Sequence, residues 1–138
     1  MIDKGILAAV AVGLLIMLIL SVSLLRRRKP GKLNVEYFRD KWQSLQKQCV
    51  DKSTWPLAII DADKLLDEAL KKGHYHGKTM GERLVSAQHD IKDNDGVWYG
   101  HKLRNRLVHE NDVKLKERDV KDALFGIRSA LQDLGALK

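Results

Sequence analysis

Two kinds of hydrophobic pattern divide the chain. Residues 5–25 form an unbroken run of 21 residues without a charge, an Asn, a Gln or a Pro. Beyond it the apolar positions become sparse and periodic. Val35, Phe38, Trp42, Leu45 and Cys49 are spaced 3, 4, 3 and 4, which predicts one narrow apolar seam on a helix over residues 34–52, with Asn34 as its cap. Ser53 and Thr54 offer an N-cap to a second helix, and Pro56 is tolerated in its first turn. Trp55, Ala58, Ile59, Ala62, Leu65, Leu66, Ala69 and Leu70 line one face of that helix. Lys71 and Lys72 with Gly73 behind them form its stop. Thr79 and Glu82 have capping-box spacing and open a third helix reaching about residue 88. Residues 90–96, rich in Asp and Asn, read as a polar loop. A fourth helix is expected over residues 97–110 and a fifth over residues 117–134, where Val120, Ala123, Leu124, Ile127, Leu131 and Leu134 keep helical spacing up to Gly135. No segment alternates with period two. The fold class is all-α: one apolar helix, then a bundle of four or five amphipathic helices over residues 34–138, large enough for one core.

At about 1.5 Å per residue, the first run is long enough to cross the hydrocarbon core of a bilayer, and a helix is the one single-segment way to satisfy its backbone there. Ser21-Val22-Ser23 resembles a signal-peptide cleavage site. However, the preceding region carries only Lys4 against Asp3, the run exceeds a typical signal core, and a basic block follows it directly. These features favour an uncleaved anchor. The basic block (Arg26, Arg27, Arg28, Lys29 and Lys32) occupies the linker of residues 26–33. By the positive-inside rule it places the amino terminus outside and the following domain in the cytoplasm of a single-pass cell-membrane protein. The same five residues can contact anionic headgroups, and Pro30-Gly31 is expected to let the domain pivot.

Charge follows the same division. The 138 residues carry a net +7, but from Leu33 onward 19 basic residues face 17 acidic ones. The high pI therefore belongs to the linker and lends no support to a nucleic-acid-binding domain. One cysteine, Cys49, excludes an internal disulfide framework and a multi-cysteine zinc site. Gly77-Lys78-Thr79 resembles the end of a phosphate-binding loop, but residue 72 is Lys where the motif needs Gly, and no strand precedes it. No nucleotide-binding loop is expected. His74-Tyr75-His76 lacks the further ligands that a metal needs, so neither a metal nor another cofactor is expected.

Candidate chemistry gathers on the fourth helix. Asn105 and His109 are four residues apart and share a face, with His101 one turn back on the same stripe. Arg104 lies about 140° round the helix from His109, so its long side chain must reach round to join them; Arg106 stands beside the group. Histidine moves protons near neutrality, and arginine presents a planar fork to phosphate oxygens. Together they suit RNA cleavage by attack of a 2′-hydroxyl on the adjacent phosphate, without metal. The same residue types also make ordinary polar faces, so a non-catalytic helical module that dimerises or recruits a partner at the membrane is the competing reading.

Arg104, Asn105 and His109 in this order resemble the Arg-Asn-x-x-x-His signature of the HEPN superfamily, and the likeness extends over about residues 53–137. The resemblance implies a small helical bundle and a metal-independent endoribonuclease. It also implies a homodimer in which the helices of residues 97–110 face each other across a composite site. It makes Arg104, Asn105 and His109 the catalytic set, with His101 and Arg106 secondary. Nucleotidyltransferase-paired HEPN toxins commonly carry Tyr two residues after the His; here that residue is Asn111, so the resemblance does not extend to a tyrosine target.

Overall fold

A computed structural model describes residues 3–25 and 31–138. Among them there are six α-helices and no strand: α1 (Lys4–Leu25), α2 (Val35–Lys47), α3 (Trp55–Lys72), α4 (Met80–Ser86), α5 (Asn94–His109) and α6 (Glu117–Asp133). The first helix is long and apolar enough to cross a membrane. It packs against no other element. Its only hydroxyls, Ser21 and Ser23, donate to the Leu18 and Leu20 carbonyls at 2.8 Å, so neither is left unsatisfied in an apolar surrounding.

The domain begins earlier than its hydrophobic periodicity suggests. The Gly31 amide donates to the Gly73 carbonyl at 3.4 Å, and Leu33 is buried with the core of α2, α3 and α6. A Cβ on Gly31 would stand 2.6 Å from the Lys72 carbonyl oxygen, so only glycine fits this approach. The pivot expected at Pro30-Gly31 is thereby corrected at Gly31, which is fastened to the end of α3. Pro30 and the basic residues Arg26, Arg27, Arg28 and Lys29 lie outside the described residues, whereas Lys32 is exposed.

Asn34 caps α2 as expected, accepting the Tyr37 amide at 3.2 Å. Phe38, Trp42 and Leu45 are buried along its seam. The helix ends at Lys47 rather than continuing to residue 52. The chain instead turns through a 3-10 segment, Lys52–Thr54, whose cap is Asp51, accepting the Ser53 amide at 2.9 Å. Thr54 holds the cap position of α3, but its hydroxyl donates back to the Gln48 and Asp51 carbonyls. It therefore secures the turn and leaves the helix end uncapped. The Thr79–Glu82 capping box of α4 forms as its spacing implies.

The largest departure is at the start of α5. Residues 94–96, expected in a loop, are its first turn, capped by Asp93 accepting the Gly96 amide at 2.9 Å. Packing accounts for this. A Cβ on Gly126 of α6 would lie 2.2 Å from the Gly96 carbonyl oxygen, and one on Gly100 would meet the Ala123 carbonyl and the Ile127 side chain at 2.9–3.0 Å. Here α5 and α6 approach through backbone rather than side chains, and glycines that signal a turn in sequence serve as contact points.

α3 and α5 run antiparallel. Ile59 packs with Leu103 in a small cluster with Val120 and Ala123, while Asp63, one turn further along α3, meets His101, earlier in α5. The carboxyl end of α3 therefore lies with the amino end of α5, where the Tyr75 hydroxyl donates to Asp90 at 2.8 Å. Gly31 is fastened at that end. His109 closes α5 at the other, with the length of α3, about 27 Å at 1.5 Å per residue, between them.

The Gly126 contact leaves no space for a methyl group. Gly126→Ala should destabilise the chain by about 2 kcal/mol or more through overpacking, read as a lower Tm by thermal circular dichroism in detergent. Gly81→Ala, whose Cβ would meet Trp98 at an ordinary 3.5 Å, should leave Tm nearly unchanged. Equal effects would mean that the α5–α6 approach yields easily.

Candidate functional site

The site is built where α5 crosses α3. On α3 the apolar face runs through Ile59, Ala62 and Leu66, and Asp63 falls inside it at helical spacing. Its carboxylate is therefore carried into the core, where its residue is only 2% exposed. A buried carboxylate must find donors, and α5 supplies them. His101 Nδ1 lies 3.0 and 3.2 Å from the two Asp63 oxygens, and Arg104 Nε lies 3.6 Å from Oδ2. Trp98 meets the His101 ring edge-on at 5.7 Å.

The network continues to the surface in one direction. Arg104 Nη1 donates to Asn105 Oδ1 at 3.0 Å, which turns the Asn105 amide nitrogen toward His101 Nε2 at 3.4 Å. With that amide donating, Nε2 is the accepting ring nitrogen and Nδ1 the one placed to donate to Asp63. Arginine, asparagine, histidine and aspartate thus form one chain of donors and acceptors. None of the hydrogen bonds among the described residues takes up the remaining Nη hydrogens of Arg104, and its side chain is 34% exposed.

Burial pushes the Asp63 carboxyl above the usual aspartate range. The hydrogen bond from His101 and the positive charge of Arg104 oppose this without cancelling it, and Asp67 adds to the rise. One turn on, burial also pushes Asp67 up, but Arg83 and Lys71 outweigh it and hold that carboxyl below its ordinary value. The difference is one of partners. Arg83 Nε sits 2.7 Å from Asp67 while donating through Nη1 to the Gly77 carbonyl, and Lys71 stands at 3.0 Å.

The predicted residues separate accordingly. Arg104 and Asn105 are brought together. His109 is exposed at the last residue of α5, one turn beyond Asn105, and none of the hydrogen bonds among the described residues ties it to the network. His101 shares the stripe of Asn105 as its spacing implies, but it is buried and its second partner, Asp63, lies on another helix. Arg106 is exposed and pairs within its own helix with Glu110 at 3.4 Å. Arg104 turns to Asp63 rather than to Glu110 or Asp112. Among the described residues, no three His, Cys, Asp or Glu side chains converge as metal ligands. The residue missed from sequence is Asp63. Its signal was present, as a carboxylate between Ile59 and Leu66 on an otherwise apolar face.

No protein-family model, curated protein or solved structure matches the chain.

Because folding raises the Asp63 pKa, the folded chain binds more protons than the unfolded chain between the two values, and stability falls as pH rises through that window. Asp63→Asn removes this penalty. The Tm of the variant relative to the parent should therefore rise as pH increases from about 4, where an unfolded aspartate titrates. A constant offset across the range would mean that His101 and Arg104 fully compensate the burial.

Proposed function

We propose that the chain is a single-pass membrane protein with its domain in the cytoplasm, and that this domain is a HEPN-like, metal-independent endoribonuclease. The observation that carries the reading is the state of Arg104. Its guanidinium is held by Asp63 and Asn105, yet a third of the side chain is open to solvent, and an exposed imidazole, His109, follows five residues along the same helix. A fixed donor fork beside a free proton carrier is what cleavage by an internal nucleophile requires.

In this mechanism His109 takes the proton from an RNA 2′-hydroxyl. The 2′-oxygen bonds to the adjacent phosphorus, and the bond from phosphorus to the 5′-oxygen breaks. Arg104 stabilises the charge that grows on the non-bridging oxygens, and Asn105 holds Arg104 in place. The departing 5′-oxygen needs a proton, and the Arg104–Asn105–His109 surface of one chain offers a single exposed imidazole. A second copy of His109 across a two-fold axis would supply the other. Val108, next to His109 in the chain and 48% exposed, provides apolar area for such pairing.

The reading of a non-catalytic interaction module draws on one observation: Arg104 already has a carboxylate partner. Activity separates the two. The full chain in detergent should cut single-stranded RNA in excess EDTA and leave 2′,3′-cyclic phosphate and 5′-hydroxyl ends. His109→Ala should slow cleavage by about 10² or more, as expected for loss of a general acid or base, without loss of helicity, because the residue is exposed. Arg104→Ala should cost a similar factor. Inactive parent protein that still dimerises would select the interaction module, and activity surviving His109→Ala would remove this mechanism.

Membrane orientation has its own measurement. A reporter fused after Lys138 should be active on the cytoplasmic side, because the basic flank follows α1. Activity on the opposite side would reverse the topology. Release of a fragment beginning near Leu24 would make α1 a cleaved signal.

A further inference from the structure

His101 and Asp63 are too deeply buried to touch a substrate, at 8% and 2% exposure, yet every bond they make leads to the residues that could. We propose that this pair consists of positioning residues, which set the direction in which Arg104 and Asn105 present their donors at the surface. The proposal rests on the reading above only for what the donors are used for, since the positioning itself is a property of the network.

Asp63 fixes the order of the chain. Its two oxygens take the His101 Nδ1–H and face Arg104 Nε, so it holds the imidazole tautomer and one edge of the guanidinium together. A neutral imidazole with its proton on Nδ1 has a lone pair on Nε2, and that lone pair selects the amide nitrogen of Asn105 rather than its oxygen. The Asn105 oxygen is then directed to Arg104 Nη1. If His101 carried its proton on Nε2, the Asn105 amide would turn over, present nitrogen to the guanidinium and repel it. Each orientation at the surface thus traces back to one buried carboxylate.

A histidine also does here what a plain donor could not. Asparagine at residue 101 would place an amide nitrogen near the position of Nδ1 and satisfy Asp63, but it would offer nothing to Asn105. His101→Asn therefore separates support of the buried charge from transmission to the surface. Simple truncation would leave the Asp63 carboxylate short of a donor and would confound the two.

The test uses the full chain in detergent micelles, labelled with ¹⁵N. In the unmodified protein, imidazole nitrogen spectra should report His101 with Nδ1 protonated and Nε2 bare; the opposite tautomer overturns the proposal without any mutation. His101→Asn should keep helicity and Tm close to those of the parent while shifting the Arg104 Nε–H and Asn105 side-chain amide signals. Against single-stranded RNA it should lower kcat about tenfold or more, as small misplacements of catalytic groups do, with KM changed little. Arg104 and Asn105 signals unmoved in a folded His101→Asn chain would mean that His101 only fills space, and the proposal fails. If the parent cuts no RNA but the signals move as expected, the ribonuclease reading falls and the positioning pair stands.

Discussion

A carboxylate inside the core is the constraint around which this domain is arranged. Removing a charged group from water costs several kcal/mol even after relaxation, and losing one partner of a buried pair typically costs about 3–5 kcal/mol. Asp63 offsets part of that cost by drawing its donors from a single neighbouring helix. Because His101 and Arg104 are three residues apart, they reach the carboxylate from one face of α5. The contact therefore fixes the rotation and the register of α5 on α3 together, since a shift that brought Gly100 and Leu103 to these positions would leave the carboxylate without a side-chain donor. Adjacent hydrophobic contacts such as Ile59 with Leu103 contribute more transfer energy, but they tolerate sliding far better than a hydrogen bond does.

The other side of α5 is constrained by shape. Gly100 and Gly126 let α5 and α6 approach at the backbone, so α5 is held by directional bonds to α3 and by close packing against α6. Asp67 repeats the device one turn along α3, taking Arg83 from α4. Two acids four residues apart on one helix thus receive two arginines from two different helices. The difference lies at the surface. Arg83 is spent on Asp67 and the Gly77 carbonyl and is buried, whereas Arg104 keeps part of its fork in solvent. The same chemical pairing yields a structural tie at one place and a candidate site at the other.

This explains why the sequence was legible in some places and opaque in others. Caps and periodic faces are local, and Asn34, the Thr79–Glu82 box and the faces of α3 and α6 appear where the spacing places them. Arg104 and Asn105 were legible because both stand on one helix, where the long Arg104 side chain can reach round to its neighbour. Partnerships across helices were not. His101 shares a stripe with Asn105 and His109, and periodicity alone cannot say that Asp63 turns it inward. The Asp-Gly pair at residues 95–96 carries a turn signal that is correct for an isolated peptide. Tertiary packing overrode it: Gly126 of α6 rests on the Gly96 backbone, and a Cβ on Gly96 would strike the capping side chain of Asp93. Gly31 failed in the same way, as a glycine read for freedom that is present for close approach.

The proposed membrane attachment and the proposed chemistry also constrain each other. Two chains anchored in the same leaflet orientation can form a symmetric pair only about an axis along the membrane normal, so side faces of the domain can pair and its two ends cannot. Arg104 lies where α5 meets α3, and His109 closes α5 at the end opposite Gly31. Such a pairing would leave the two His109 residues near one another at the end away from the bilayer. Confinement in the membrane would raise the effective concentration of the two copies, so a small apolar contact could suffice. The charge distribution runs the other way. The linker carries the basic cluster, while the rest of the chain is almost balanced, so attraction of nucleic acid by net charge would draw it toward the membrane end rather than toward Arg104. Binding at the motif would therefore depend on short-range bonds to a few oriented donors. Because long-range counterion release contributes little to such contacts, its affinity should vary only shallowly with salt. In a site of that kind the direction of each donor matters more than the number of charges, which is the property the buried carboxylate controls.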